Sequence, residues 1–83
     1  MTRDEIRDGI LRALAQVAPE ADVSGIKPNV RLRDQLDIES MDMLSFVIGV
    51  HKKFKIEIPE ADYPRLVTLD GCIDYIAKAQ PQT

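Results

Sequence analysis

Residues 37–48 read DIESMDMLSFVI, and this stretch is the most informative part of the chain. Ser40 stands directly before an apolar run, and serine favours the start of a helix because its hydroxyl accepts a hydrogen bond from a free backbone N–H. We therefore predict a helix that opens at Ser40 and runs to about Phe54. Helical spacing predicts an inward side made of Met41, Leu44, Val47, Ile48 and Phe54.

Two further helices are indicated at the ends of the chain. Thr2 followed by Glu5 is a capping-box pattern, and Pro19 should stop the first helix soon after Val17. Thr68 should cap a last helix over residues 69–79. The predicted inward residues of these two helices are Ile6, Ile10, Ala13, Leu14 and Val17 in the first, and Leu69, Cys72, Ile73 and Ile76 in the last.

A long connection, residues 20–37, separates the first two major helices. Gly25, Pro28 and Asn29 break any continuous helix there, although one helical turn near residues 31–35 is expected. Long irregular loops are uncommon in compact domains and are often functional. A short third helix is expected over residues 60–66, interrupted by Pro64. The sequence thus predicts an all-α fold, a small four-helix bundle with a long first loop and a short third helix.

The composition limits what the chain can be. Its 83 residues fit one domain, 1–83, with residues 2–79 ordered and 80–83 as a frayed tail. The net charge of -3 disfavours nucleic acid as a partner. One Cys and one His exclude an internal disulfide and a four-ligand zinc site, and we expect no metal. The absence of an apolar span and of a signal segment indicates a cytoplasmic protein.

Catalysis is not indicated by any set of residues. His51 is the only histidine and is expected at the surface, while Cys72 on an apolar helix face is expected to be a small core residue. No nucleophile has a base near it in sequence, so a hydrolase is disfavoured and we expect no catalytic residue. Lys52, Lys53 and Lys55 fit a solvated helix end, where positive charge complements the helix dipole, or a partner-specific surface.

Ser40 has two interpretations from its position alone. It is a helix cap, or it is an exposed hydroxyl that accepts a phosphodiester, since a helix start favours phosphate. The acidic residues around it either solvate the helix start or form a docking patch for basic partners; the spacing of a calcium loop is missing. Met41 and Met43 fit either the core or an adaptable contact surface. The acidic residues are Asp34, Asp37, Glu39 and Asp42.

The chain resembles the acyl carrier proteins, including the related peptidyl and aryl carriers, over roughly residues 6–77. Residues 32–36 (LRDQL) resemble the loop that leads into the family's attachment site, and residues 39–41 (ESM) resemble its Asp-Ser-Leu signature. Residues 54–59 (FKIEIP) and the segment 68–76 resemble the exit of the second helix and the start of the last. The order and spacing of these segments carry the resemblance.

The resemblance implies a role for each residue of the signature. Ser40 would carry a 4'-phosphopantetheine arm, transferred from coenzyme A by a phosphopantetheinyl transferase, and the arm's thiol would hold an acyl group as a thioester. Glu39 and Asp42 would supply docking charge, and Met41 and Met43 apolar contact. The core would open to shelter an acyl chain, as in the family.

The resemblance also implies partners and a setting. We expect a monomer that catalyses nothing and serves acyl-transferring, ligating or condensing enzymes in fatty acid, polyketide or specialised lipid biosynthesis. A peptidyl or aminoacyl carrier of a nonribosomal peptide pathway and an unmodified helical interaction module remain alternatives. The segment 51–55 (HKKFK) departs from carriers of primary fatty acid synthesis, whose corresponding helix end is usually acidic. This departure counts against bulk fatty acid synthesis and favours a specialised pathway, such as polyketide, nonribosomal peptide or modified-lipid assembly, at least equally.

Overall fold

The structure is a computed structural model and describes residues 2–79. Its α-helices are α1 (Arg3–Val17), the single turn α2 (Leu32–Gln35), α3 (Ser40–Phe54) and α4 (Leu69–Ala79). Two 3₁₀ segments, Val23–Gly25 and Glu60–Leu66, lie before α2 and before α4. The all-α fold is confirmed, with the short third helix formed as the 3₁₀ segment that contains Pro64. The predicted tail, residues 80–83, lies outside the described residues.

Local hydrogen bonds fix the starts of α1 and α4. Thr2 Oγ1 accepts from the Glu5 N–H at 3.1 Å, and Glu5 Oε1 accepts from the Thr2 N–H at 3.0 Å, which confirms the capping box. Thr68 Oγ1 accepts from the Gly71 N–H at 3.0 Å. Because these caps are local, the sequence alone predicts both helix starts.

One aliphatic core holds the helices together. Helix α1 packs against both α3 and α4, and α4 also packs against the 3₁₀ segment Glu60–Leu66. The inward residues predicted for α4 are all buried, and those predicted for α1 are buried except for the half-buried Val17. Removing these apolar side chains from water is the main stabilising contribution to so small a domain.

The predicted inward side of α3 is wrong at three positions. Met41 is 77% exposed, Leu44 45% and Ile48 44%, whereas Val47 and Phe54 are buried as expected. The side of α3 that faces the core consists of Phe46, Val47, Val50 and Phe54. Apolar residues occupy most of the circumference of α3, so their spacing does not fix which side faces inward.

The long connection is ordered by contacts with its own residues and with the segment just before α4. The side chain of Gln35 accepts a hydrogen bond from the Lys27 N–H at 2.8 Å and donates to the carbonyls of Lys27 and Val30 at 2.9 and 3.0 Å. The Leu32 N–H donates to the Val67 carbonyl at 2.8 Å. Three of its apolar residues enter the core, namely Ile26, Leu32 and Leu36, and so does Ile38 directly after it.

Within residues 2–79, no helix is long and apolar enough to cross a lipid bilayer. Within the same residues, no group of three or more His, Cys, Asp or Glu side chains is placed to hold a metal ion.

Candidate functional site

Ser40 is the first residue of α3 and is exposed to solvent. The helix therefore opens where the sequence predicted, but the interpretation of Ser40 as its cap is wrong. The N-cap is Glu39, whose backbone is extended and whose N–H donates to Asp42 Oδ2 at 3.0 Å. Asp42, the third residue of the helix, thus accepts from the backbone N–H of the cap residue, as the third helical residue does in a capping box. Among residues 2–79, the Ser40 hydroxyl has no hydrogen-bond partner.

Buried residues on both sides hold Ser40 at the surface. Leu36 and Ile38, just before α3, are buried, and the Ile38 N–H donates to the Leu36 carbonyl at 2.9 Å. Phe46, two turns into the helix, is fully buried. Contacts of these buried residues with the core therefore fix the start of α3, while Ser40 stays exposed to solvent.

The start of α3 can accept a phosphate-linked group. The first backbone N–H groups of a helix and its dipole favour a phosphate, and an exposed hydroxyl is open to a modifying enzyme. Glu39 and Asp37, both exposed, add negative charge that opposes a phosphate, but solvent screens exposed charges. These features fit a phosphodiester on Ser40.

The four residues predicted as a docking group divide into two pairs. Glu39 and Met41 are exposed and free to contact a partner. Asp42 and Met43 are half-buried, and each has a contact within the fold: Asp42 with the Glu39 N–H and Met43 with the core.

Sequence reasoning missed two surface residues that the structure places near Ser40. Leu44 and Ile48 follow Ser40 at successive intervals of four residues, and both are substantially exposed. Such residues lie one above the other on a helix. Helical spacing alone assigns Leu44 and Ile48 to the core, and nothing in the sequence indicates that they are exposed.

The far end of α3 and the single cysteine match their predictions. His51 is exposed, and its Nδ1 contacts the Ile56 carbonyl oxygen just after Lys55 ends the helix in the left-handed conformation, φ 56°. Cys72 is buried, and this burial raises the pKa of its thiol to about 12. A thiol with so high a pKa is a poor nucleophile near neutral pH.

Comparison with known proteins identifies the family. No family model matches the chain. The acyl carrier protein of Acidothermus cellulolyticus is 32% identical over 81 residues, which span 95% of this chain and 93% of that protein. The chain belongs to the acyl carrier protein family. The acyl carrier proteins of Micrococcus luteus and Renibacterium salmoninarum are 31% and 33% identical, over 89% and 86% of this chain and 95% and 91% of their own lengths.

A solved structure shares the fold of this acyl carrier family member. The acyl carrier protein from Enterococcus faecalis superposes with a TM-score of 0.79, covering 96% of this chain and 100% of that chain at 21% identity. The exposed hydroxyl of Ser40 therefore lies at the start of α3 in a fold that this chain shares with an acyl carrier protein.

Proposed function

We propose that this member of the acyl carrier family holds acyl groups on a 4'-phosphopantetheine arm attached to Ser40. The observation that carries the proposal is the exposed Ser40 hydroxyl at the first position of α3, with no hydrogen-bond partner among the described residues. A phosphopantetheinyl transferase would supply the arm from coenzyme A. When attached, the arm supplies a thiol that holds the acyl group as a thioester.

The chain's own residues position the arm and its partners. The first N–H groups of α3 favour the phosphate that Ser40 would carry. Glu39 and Asp37 remain exposed beside it and can attract cationic surfaces of partner enzymes. Met41 offers an adaptable apolar contact next to the attachment point. The chain itself would catalyse nothing.

A groove beside α3 offers room for an apolar cargo. Its volume is about 460 Å³, and it lies between α3 and the segment that follows. Its lining consists of Val47, Ile48, His51, Glu57, Ile58, Pro59 and Tyr63. The side chains are mostly apolar, which favours contact with a hydrocarbon chain over contact with a polar one. The groove supports an acyl cargo.

The pathway and setting form the finer part of the proposal. The name of the relatives, acyl carrier protein, supports an acyl cargo over an aminoacyl or peptidyl cargo. The proposed setting is fatty acid, polyketide or specialised lipid biosynthesis. The basic end of α3 favours a specialised pathway. The proposed carrier is a cytoplasmic monomer that serves acyl-transferring, ligating or condensing enzymes in turn.

The decisive experiment is an intact mass spectrum after incubation with coenzyme A, magnesium and a broad-specificity transferase. The wild type should gain one phosphopantetheine, and Ser40→Ala should gain none. Ser45→Ala is the matched control, because Ser45 is also exposed on α3 and its variant should gain the group like the wild type. Lack of modification of the wild type by several transferases would favour the unmodified interaction module instead.

A rate measurement tests the docking charge. Glu39→Lys should slow modification, and added salt should slow modification of the wild type, because exposed charges are screened within about 8 Å at physiological ionic strength. Glu57→Lys makes the same charge change beyond the other end of α3 and should leave the rate unchanged. Equal rates in the two variants would refute acidic steering at the start of α3.

A further inference from the structure

A second cavity, of about 590 Å³, lies between the end of the 3₁₀ segment Glu60–Leu66 and helix α4. None of its lining residues belongs to α3, and none lines the groove beside α3. Its volume is within the range of about 300–1,000 Å³ that is typical of small-molecule sites. The lining consists of Arg65, Gly71, Asp74, Tyr75, Lys78 and Ala79.

A close approach of α4 to the 3₁₀ segment fixes one wall of this cavity. A Cβ on Gly71 would collide with the Arg65 carbonyl oxygen, so a larger residue would push the two elements apart. The Gly71 N–H donates to Thr68 Oγ1 at 3.0 Å, and the Cys72 thiol donates to the Leu66 carbonyl at 3.4 Å. The backbone of Arg65 is therefore held against the first turn of α4.

Tyr75 supplies the aromatic part of the lining and joins the same two elements a second time. Its hydroxyl donates a hydrogen bond to Asp62 Oδ2 in the 3₁₀ segment at 2.7 Å. Loss of hydration on partial burial, together with this hydrogen bond, raises the pKa of the Tyr75 phenol. The ring is therefore uncharged near neutral pH, and such a ring packs well against a flat apolar ligand.

The two cations of the lining lack the partners that its acid has. Asp74 is held by Arg3, whose Nη1 lies 2.8 Å from Asp74 Oδ1. Among residues 2–79, neither Arg65 nor Lys78 forms an ion pair. Both are exposed, so they are open to a ligand that brings negative charge. The cavity thus offers two uncompensated positive charges in a chain whose net charge is -3.

We propose that this cavity binds a small organic anion that has a flat apolar body and one carboxylate or phosphate group. The Arg65 guanidinium can donate two parallel hydrogen bonds to the oxygens of such a group, and the Lys78 ammonium adds a point charge. The apolar body packs against Tyr75 and Ala79. Because no residue of α3 lines the cavity, the proposal does not rest on the function proposed for Ser40.

The dimensions of the cavity allow both cations to act on one ligand. Arg65 lies at the Gly71 end, and Lys78 follows Gly71 by seven residues, which is about 10 Å along the helix axis. Both side chains are long and flexible, and at an ionic strength of about 0.01 M charges interact over roughly 30 Å. An anionic group between the two ends is therefore attracted by both.

The charge of the rest of the chain favours a small anion over a polyanion. A nucleic acid or an anionic bilayer extends beyond the cavity and meets a surface that is negative as a whole. Asp70, exposed and next to Gly71, would repel it directly outside the lining. A small anion enters the cavity and meets chiefly Arg65 and Lys78.

The test uses the full unmodified chain, labelled with ¹⁵N, at an ionic strength of about 0.01 M. The probes are 2-naphthoate, 2-naphthyl phosphate and the neutral 2-naphthamide, which has the shape of the naphthoate without its charge. At least one anion should bind roughly three- to tenfold more tightly than the amide, and the tighter anion identifies the group that the cavity prefers. The shifted amide signals should lie in residues 65–79.

Charge-neutralised variants decide whether the cavity is the site. Arg65→Gln and Lys78→Gln should each weaken binding of the tighter anion by roughly two- to fivefold and leave binding of the amide unchanged. Arg12→Gln and Lys52→Gln are the matched controls, because each removes one exposed positive charge outside the lining. The ¹⁵N spectrum of each variant shows whether it is folded.

Three results would overturn the proposal. The first is equal binding of the amide and both anions, and the second is an equal effect of the controls and the cavity variants. The third is a set of amide shifts confined to the groove beside α3, which would show that the probes bind there. Ser40→Ala should bind the probes like the wild type, so failure of this test and failure of the mass spectrum are separate outcomes.

Discussion

The ring of Phe54, at the end of α3, lies directly over Gly9 in the middle of α1. A Cβ placed on Gly9 would come within 2.6 Å of Phe54 Cζ, closer than side-chain carbons approach in folded proteins. Phe54 is itself buried and cannot swing away into solvent. Gly9 is therefore required by the close approach of the two helices.

Gly9→Ala should destabilise the protein by about 1–3 kcal/mol, because the added methyl overpacks the contact with Phe54. The loss should appear although alanine favours a helix over glycine by about 1 kcal/mol. Gly49→Ala is the control, since no atom lies within 4 Å of a Cβ at Gly49, and it should be neutral or stabilising. Urea unfolding of the three proteins measures both effects. Equal stability of the two variants would refute the packing explanation.

Gln35 should be the main polar determinant of the long connection. Gln35→Ala removes three hydrogen bonds to the backbone of Lys27 and Val30, and we expect a loss of about 1–3 kcal/mol. The Lys27 amide proton should also exchange much faster with solvent. Gln16→Ala, at an exposed position of α1, should change neither quantity. Unchanged exchange at Lys27 in Gln35→Ala would contradict the assigned hydrogen bond.

Ser40→Ala should leave stability within about 0.5 kcal/mol of the wild type, because Ser40 is not the helix cap. Asp42→Ala should cost about 1 kcal/mol, since it removes the carboxylate that accepts from the Glu39 N–H. Thermal unfolding of both apo-proteins tests this order. A larger loss in Ser40→Ala than in Asp42→Ala would restore Ser40 as the cap. The expected order also means that loss of modification in Ser40→Ala reports chemistry rather than unfolding.

The accuracy of the sequence predictions follows the range of the interactions involved. Helices α1 and α4 were predicted with their caps and inward residues, because polar residues separate their apolar stripes and the caps are local. The orientation of α3 is not predictable in this way, because contacts with α1 select among several apolar sides. The clamp by Gln35 was also missed, since a glutamine in a short helical turn carries no sign of the backbone eight residues away.

The candidate site also combines features that follow from the local sequence with features that depend on packing between helices. The position of Ser40 at the start of a helix follows from the adjacent sequence, and so does the acidic character of its surroundings. The exposure of Leu44 and Ile48 depends on how α3 packs against the rest of the fold, which only the structure gives. The exposed apolar side of α3 is therefore evident only from the structure, whereas the candidate attachment residue follows from the sequence.

Cys72 should be inert in the folded protein and should couple stability to alkaline pH. Burial raises the pKa of its thiol to about 12 from the ordinary value of 9.0, so the folded state keeps it protonated where the unfolded chain ionises. The protonated thiol of Cys72 therefore contributes fully to the free energy of unfolding below about pH 9. This contribution is lost as pH rises towards 12, by up to about 1.4 kcal/mol per pH unit.

The stability advantage of the wild type over Cys72→Ala should accordingly shrink between pH 8 and pH 10.5, as measured by urea unfolding at each pH. Taking the difference between the two proteins removes the contributions of the other titrating groups. Iodoacetamide at pH 8 should label Cys72 in urea but not in the native state, because the thiol is both buried and protonated there. A stability difference that stays constant over this range, or rapid labelling of the native protein, would show that the thiol is accessible to solvent.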